Sequence, residues 1–115
     1  MRLVLLAALM FSPAMAGDVE IVDAKARESG GAWRFDVTLR HGDTGWDHYA
    51  DAWRVVGPDG TVYGMRVLHH PHVEEQPFTR SLSGVKVPEG ITEVAIEARD
   101  SVHGWAEAVF PLILK

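Results

Sequence analysis

The sequence predicts an all-β protein with a single antiparallel β-sandwich of immunoglobulin or fibronectin-III type. Apolar and polar residues alternate in several short segments, the pattern of strands with one buried face. Turn-forming residues separate these segments at intervals of about ten residues, as in sandwich domains. No segment after residue 16 shows a convincing helical period. A small β-barrel is the alternative fold.

The first sixteen residues have the parts of a secretory signal peptide. Arg2 supplies a positive charge, an apolar run follows, and the segment ends in Ala14-Met15-Ala16. The run is shorter than the roughly 20 residues of a membrane-spanning helix, so no membrane span is expected. We predict a signal peptide at 1–16 and one β-sandwich domain at 17–115. The protein is therefore expected to be exported, either periplasmic or secreted.

Composition narrows the classes of partner and site. Without Arg2, the chain has 10 basic and 16 acidic residues, a formal net charge of −6. This excess of acid argues against nucleic acid or an anionic membrane surface as a partner. The sequence has no cysteine, which excludes disulfides, thiolate metal ligands, thiol catalysis and lipid attachment to cysteine.

Seven strands are predicted in chain order. The first mixes apolar and charged residues before Gly30-Gly31, and the second, Trp33–Arg40, alternates most clearly. Trp53 lies on the third strand, where such folds commonly place a core tryptophan. Pro111 in the last strand indicates an edge strand or a bulge. The seven predicted ranges are 19–27, 33–40, 51–56, 61–68, 78–87, 92–100 and 106–114.

Antiparallel topology sends alternate connections to opposite ends of the sandwich. Loops 41–50, 69–77 and 100–105 are expected at one end, which we call the histidine pole. It receives every histidine of the chain: His41, His48, His69, His70, His72 and His103. Loops on a rigid sandwich commonly carry function, so this segregation predicts a site.

The densest histidine stretch is His69-His70-Pro71-His72. Pro71 biases His70 towards an extended conformation, and residues two apart on an extended segment point the same way. His70 and His72 should therefore share a face, as two metal-binding imidazoles would. His69 lies on the opposite register and is the weakest ligand of the three.

We predict a divalent transition metal at the histidine pole. His70, His72, His103 and His48 are the candidate ligands, and His41 and Asp100 are secondary candidates, as ligands or as groups that orient one. Imidazole and carboxylate without thiolate favour Cu(II) or Zn(II), with Ni(II) as a further option. Calcium at Asp43, Asp47 and Asp51 is a weaker alternative, because their spacing does not fit an EF-hand loop.

Enzymatic activity is not predicted. Asp100, Ser101 and His103 are close in sequence, but a triad is defined by geometry, and no nucleophile motif surrounds Ser101. The alternative function is a recognition module without metal, in which loop aromatics bind a protein or a glycan. Its candidate residues are Trp46, Tyr49 and Trp105. The expected partners are thus a metal ion and another exported protein.

Two points concern the wider chain. Arg80 lies in an inward register, which either a carboxylate partner or a bulge that turns it outward would explain. The candidate partners are Glu74, Asp51 and Asp100. Residues 41–53 (HGDTGWDHYADAW), 70–82 (HPHVEEQPFTRSL) and 100–104 (DSVHG) resemble a group of small, exported, uncharacterised bacterial proteins. The resemblance covers most of the chain after residue 16. It supports the predicted boundaries and implies no particular activity.

Overall fold

The chain folds into β-strands, as seen in a computed structural model that describes residues 18–115. The predicted signal peptide lies outside the described residues. Across residues 18–115, no helix has the length and apolarity needed to cross a membrane. The strands of this range are β1 (Glu20–Ser29), β2 (Ala32–Arg40), β3 (Ala50–Val56), β4 (Val62–Val67), β5 (Phe78–Val85), β6 (Glu93–Asp100), β7 (Gly104–Trp105) and β8 (Phe110–Ile113).

The strands form two antiparallel sheets. One sheet has the order β1-β2-β5, and the other has the order β4-β3-β6-β7, with β8 also paired to β6. Leu39 lies opposite Phe78 in the first sheet, and Trp53 lies opposite Ala98 in the second. Within residues 18–115 the sheets do not close into a ring. The predicted β-sandwich is therefore confirmed, and the alternative barrel is wrong.

The core lies between the inner faces of the two sheets. Phe35, Val37 and Leu39 of β2 are fully buried, as their alternation with polar residues predicts. Trp53 of β3 and Ile96 of β6 are fully buried on the facing sheet. Burying one such side chain stabilises the fold by roughly 1.5–3 kcal/mol. This core gives the loops at either end a rigid base.

The end of the chain differs from the predicted strand 106–114. Two shorter strands replace it, because Trp105 pairs with β6 before the chain leaves the sheet and returns as β8. Pro111 lies opposite Ala95 on β8, whose only strand partner in the described chain is β6. Proline has no N–H to donate, so an edge position suits it, and the predicted edge strand is confirmed.

The three loops of the histidine pole meet, as the topology predicts. The N–H of Leu68 donates to the Asp51 carbonyl at 2.9 Å, and the N–H of Ser101 donates to the Tyr49 carbonyl at 2.9 Å. The N–H of His72 donates to the Asp43 carboxylate at 2.7 Å. These hydrogen bonds tie each loop to a neighbour, so side chains distant in sequence lie side by side.

Candidate metal centre

Asp100, the last residue of β6, lies at the centre of the histidine pole and is fully buried. The chain turns directly after it, and the backbone N–H groups of Val102 and His103 donate to its Oδ1 at 2.9 and 2.7 Å. The Nδ1 atom of His103 lies 3.1 Å from Oδ2. One buried carboxylate thus organises the loop that follows β6.

The electrostatic environment keeps Asp100 ionised at neutral pH. Burial raises the pKa of this carboxyl group, whereas hydrogen bonds from the backbone of His103 and Val102 lower it. The side chain of His103 lowers it further, so the pKa of Asp100 lies below its ordinary value. A negative ligand is therefore present at neutral pH.

Two imidazoles from the loop between β2 and β3 complete a compact group around this carboxylate. The Nε2 atom of His41 lies 3.6 Å from Oδ2 of Asp100, and Nε2 of His48 lies 3.2 Å from Oδ1. The two imidazole rings meet edge to face, with centroids 4.8 Å apart. Ligands on a tetrahedral Zn(II) ion with bonds of about 2.0–2.1 Å are about 3.3 Å apart. The observed spacing therefore fits a shared ion.

Asp43 orients the ring of His41. Its Oδ1 lies 2.6 Å from Nδ1 of His41 and accepts a hydrogen bond from the N–H of Ala50 at 3.1 Å. The carboxylate oxygen accepts this hydrogen bond, so Nδ1 of His41 is the donor and Nε2 is the ring nitrogen that faces Asp100. A carboxylate behind a ligating histidine commonly plays this role. The same Asp43 also accepts from the backbone N–H of His72.

His48 is held by a tight turn. The N–H of Thr44 donates to the His48 carbonyl at 3.0 Å, and the N–H of His48 donates to the Gly45 carbonyl at 3.2 Å. The backbone φ angle of Gly45 is 141°, a value that residues other than glycine rarely adopt. The Nε2 atom of His48 is buried, and its contact with Oδ1 of Asp100 at 3.2 Å does not have the geometry of a hydrogen bond. A metal ion held by both atoms would engage this nitrogen.

His70 and His72 lie in a different environment from the group around Asp100. His70 is exposed, whereas His72 is buried and stacks on Phe78 with ring centroids 4.0 Å apart. Their own rings have centroids 4.9 Å apart. In the described part of the chain, neither belongs to a group of three ligand atoms within 4.8 Å. His69 is also exposed.

Arg80 explains why His72 suits a cation poorly. Its guanidinium donates to Nε2 of His72 at 2.9 Å and to Glu75 at 3.1 Å. Burial lowers the pKa of His72, and the positive charges of Arg80 and His70 lower it further. The remaining ring nitrogen, Nδ1, is buried without a hydrogen bond in the described chain. The carboxylate partner of Arg80 is thus Glu75, and the predicted candidates are wrong, because Asp51 pairs with Arg99 and Asp100 faces histidines.

The structure brings together four of the six predicted site residues: His41, His48, His103 and Asp100. Sequence reasoning placed two of these, His41 and Asp100, in the secondary set. Sequence reasoning did not predict that Asp43 orients the ring of His41. The spacing His41-Gly42-Asp43, with a carboxylate two residues after a histidine, could have indicated it. The calcium alternative finds no support, since Asp47 contacts Thr44, Asp51 pairs with Arg99, and Asp43 faces His41.

Comparison with known proteins identifies a relative of this chain. A protein of Halomicrobium mukohataei named "Putative lipoprotein" is 43% identical to the chain over 89 residues. The match covers 76% of this chain and 43% of that protein, so the chain spans less than half of its relative's length. No protein-family model matches the chain, and no solved structure matches it. The chain is therefore similar to one region of a longer protein.

Proposed function

We propose that this protein is an exported domain that binds one divalent transition metal through His41, His48 and Asp100. The observation that carries the proposal is the convergence of two imidazole nitrogens and one buried carboxylate within 4.8 Å. The proposal leaves His70 and His72 outside the ligand set, because Arg80 occupies Nε2 of His72. Storage, delivery or sensing of the metal are the corresponding roles.

The donor set selects the class of ion. Two imidazoles and one carboxylate suit Zn(II) and Cu(II), and the absence of cysteine excludes thiolate-dependent sites. Cu(II) binds more tightly than Zn(II) to a given site of this kind. Three protein ligands leave a coordination position open for water or for a ligand from a partner. We therefore expect an ion that can be exchanged.

Export is supported by two observations. The N-terminal sixteen residues have signal-peptide character, and the relative in Halomicrobium mukohataei is named as a lipoprotein. We infer a periplasmic or secreted location. An enzymatic role is not proposed, because the Ser101 hydroxyl oxygen accepts a hydrogen bond from the N–H of Tyr49 and so serves to tie two loops.

The test is metal titration of untagged protein purified after export. Elemental analysis and calorimetry with Cu(II) and Zn(II) should show a tightly bound ion. His48→Ala should weaken binding about 100-fold or more, since removing groups that only orient ligands costs 10–100-fold. His70→Ala is the matched control and should bind as the wild type does. Circular dichroism checks that both variants fold.

Acid should weaken binding in the same titration. Ligating histidines must be neutral, and histidine in solution has a pKa of about 6.5. Affinity should therefore fall between pH 7 and pH 5. A protein that takes up neither ion, or that loses as much affinity with His70→Ala as with His48→Ala, would overturn the proposal.

A recognition module remains a second candidate function, and one observation favours it. Trp46 is 69% exposed, and its ring meets Tyr49 edge to face at 5.7 Å on the tight turn that holds His48. A fixed and exposed aromatic residue suits stacking on a sugar or contact with a peptide. Metal-free protein that binds a glycan or peptide, and loses this binding with Trp46→Ala, would favour this function over metal binding.

A further inference from the structure

We propose that the histidine pole holds a second metal ion, bound by Asp18 and His103 and linked to the first ion by Asp100. This inference rests on the proposed function, because Asp100 would be a ligand of both ions. The structure contains a second group of ligand atoms within 4.8 Å of one another, formed by Asp18, Asp100 and His103. The two groups share Asp100 and are otherwise separate.

One ion cannot serve both groups as they stand. Bonds of about 2.0–2.2 Å place any two ligands of one ion at most about 4.4 Å apart. The two groups do not merge into one even at 4.8 Å. The rings of His48 and His103 are nevertheless neighbours, with centroids 5.0 Å apart. The geometry therefore describes two adjacent positions.

Asp100 can bridge these positions because its carboxylate faces histidine nitrogens of both groups. Oδ1 lies 3.2 Å from Nε2 of His48, and Oδ2 lies 3.6 Å from Nε2 of His41. Nδ1 of His103 lies 3.2 Å from Oδ1 and 3.1 Å from Oδ2. In two-metal sites, the ions are about 3.5–4 Å apart. A bridging carboxylate spans such a distance, and its negative charge reduces the repulsion between the two cations.

Asp18 is placed at this position by the fold. The next residue, Val19, is 4% exposed and belongs to the hydrophobic core. Glu20, at the start of β1, pairs with Arg40 at the end of β2, directly before His41. The start of β1 therefore lies at the same end of the sandwich as the histidine pole. The core contact of Val19 anchors Asp18 there.

The two positions differ in access. His41 and Asp100 are buried, whereas Asp18 is exposed and the His103 side chain is 42% exposed. The ion of the outer position should be the weaker and faster to exchange, because water reaches it and competes for its coordination. A buried ion beside an exposed one suits transfer of the metal to and from a partner.

The experiment measures Cu(II) stoichiometry by equilibrium dialysis of the exported protein. The wild type should bind two equivalents, and Asp18→Asn should bind one with the affinity of the tighter wild-type position. Asp23→Asn, which removes another exposed carboxylate close to Asp18 in sequence, is the matched control and should bind two. His103→Ala should also lose the second equivalent.

Each other outcome overturns a different part of the proposal. One equivalent in the wild type, lost with His48→Ala, overturns the second ion and leaves the first. Two equivalents that persist in Asp18→Asn overturn the assigned ligands. A wild type that binds no Cu(II) overturns both this inference and the proposed function. Electron paramagnetic resonance provides an independent readout, since two ions bridged by a carboxylate should give less signal than their copper content.

Discussion

Two groups of histidines share one end of this molecule and differ in what holds them. The group around Asp100 draws His41, His48 and His103 from two loops onto one buried carboxylate. The stretch from His69 to His72 has more histidines close together along the chain. Its buried histidine, His72, nevertheless contacts the guanidinium of Arg80. Density of histidine along the chain thus does not make histidine side chains converge, whereas a buried carboxylate gathers three of them at Asp100.

Charge accounts for the difference between the two groups. The carboxylate of Asp100 attracts a cation and is held ionised by backbone hydrogen bonds. The Nε2 atom of His72 already accepts a hydrogen bond from a cation, the guanidinium of Arg80. Adding a divalent ion there would place like charges together, which is unfavourable at short range. Histidine therefore lies beside an anion in one group and beside a cation in the other.

The largest effect that would test this comparison is expected from Asp100→Asn. The amide keeps the size of the side chain but loses the charge that the backbone N–H groups of Val102 and His103 stabilise. Hydrogen bonds to charged groups contribute about 1.5–3 kcal/mol each. We expect the free energy of unfolding of the metal-free protein to fall by about 3 kcal/mol, and metal binding to be lost.

Urea denaturation with a chelator, followed by metal titration, measures both quantities. Asp59→Asn is the control, because this exposed residue lies in the turn at the other end of the sandwich, where its carboxylate bonds only to Thr61 among the described residues. It should change stability by less than about 1 kcal/mol and leave metal binding unchanged. An Asp100→Asn variant that still binds metal would show that the carboxylate is not the centre of the site.

A smaller effect is expected from Asp43→Asn, which alters the ring orientation of His41 and keeps all the proposed ligands. An amide has one oxygen, whereas the Asp43 carboxylate accepts from His41 and Ala50 on one oxygen and from His72 on the other. Affinity for the first ion should fall 10–100-fold, as for other groups behind a ligating histidine. Calorimetry measures the change.

Asp47→Asn is the matched control for that variant, since it lies in the same loop and bonds to the exposed Thr44 hydroxyl at 3.3 Å. It should leave the affinity unchanged. If Asp43→Asn binds metal as the wild type does, the orientation of His41 does not depend on this carboxylate. The proposed site would then have to form without a carboxylate that orients the imidazole of His41.

The strands and the histidine pole could be predicted from sequence because both follow from local patterns. Alternation in Trp33–Arg40 identifies an inner face, and the direction of successive strands assigns each loop to an end. The ranking of the ligands could not be predicted, because it depends on where each side chain points. The pairing of Arg80 with His72 required the register of β5 on β2, in which Arg80 lies opposite the buried Val37. Sequence pattern alone does not fix that register.

The contacts of Asp43 show the same limit. Its carboxylate accepts hydrogen bonds from residues in three segments, and two of these donors are backbone groups. Any residue except proline can supply a backbone N–H, so such a partner leaves no mark in the sequence. The sequence shows that residue 43 is an aspartate, but it does not show which groups the Asp43 carboxylate contacts.

The smallest expected effect is a change in the pH dependence of stability caused by His72→Gln. Burial and the nearby charges lower the pKa of His72 in the folded protein, while the unfolded chain titrates near 6.5. Below about pH 6.5 the unfolded state therefore binds more protons than the folded state, and stability falls as the pH falls. Glutamine does not titrate, and its side-chain oxygen offers Arg80 an acceptor.

Measured in a chelator from pH 7 to pH 5, the free energy of unfolding should fall less steeply for His72→Gln than for the wild type. His70→Gln, an exposed neighbour, should follow the wild-type curve. Metal affinity at pH 7 should be the same in all three proteins, because neither residue belongs to the group around Asp100. If His72→Gln bound metal more weakly than His48→Ala, residues 69–72 would have to supply a metal ligand. The same result would also show that Arg80 moves away when the ion arrives.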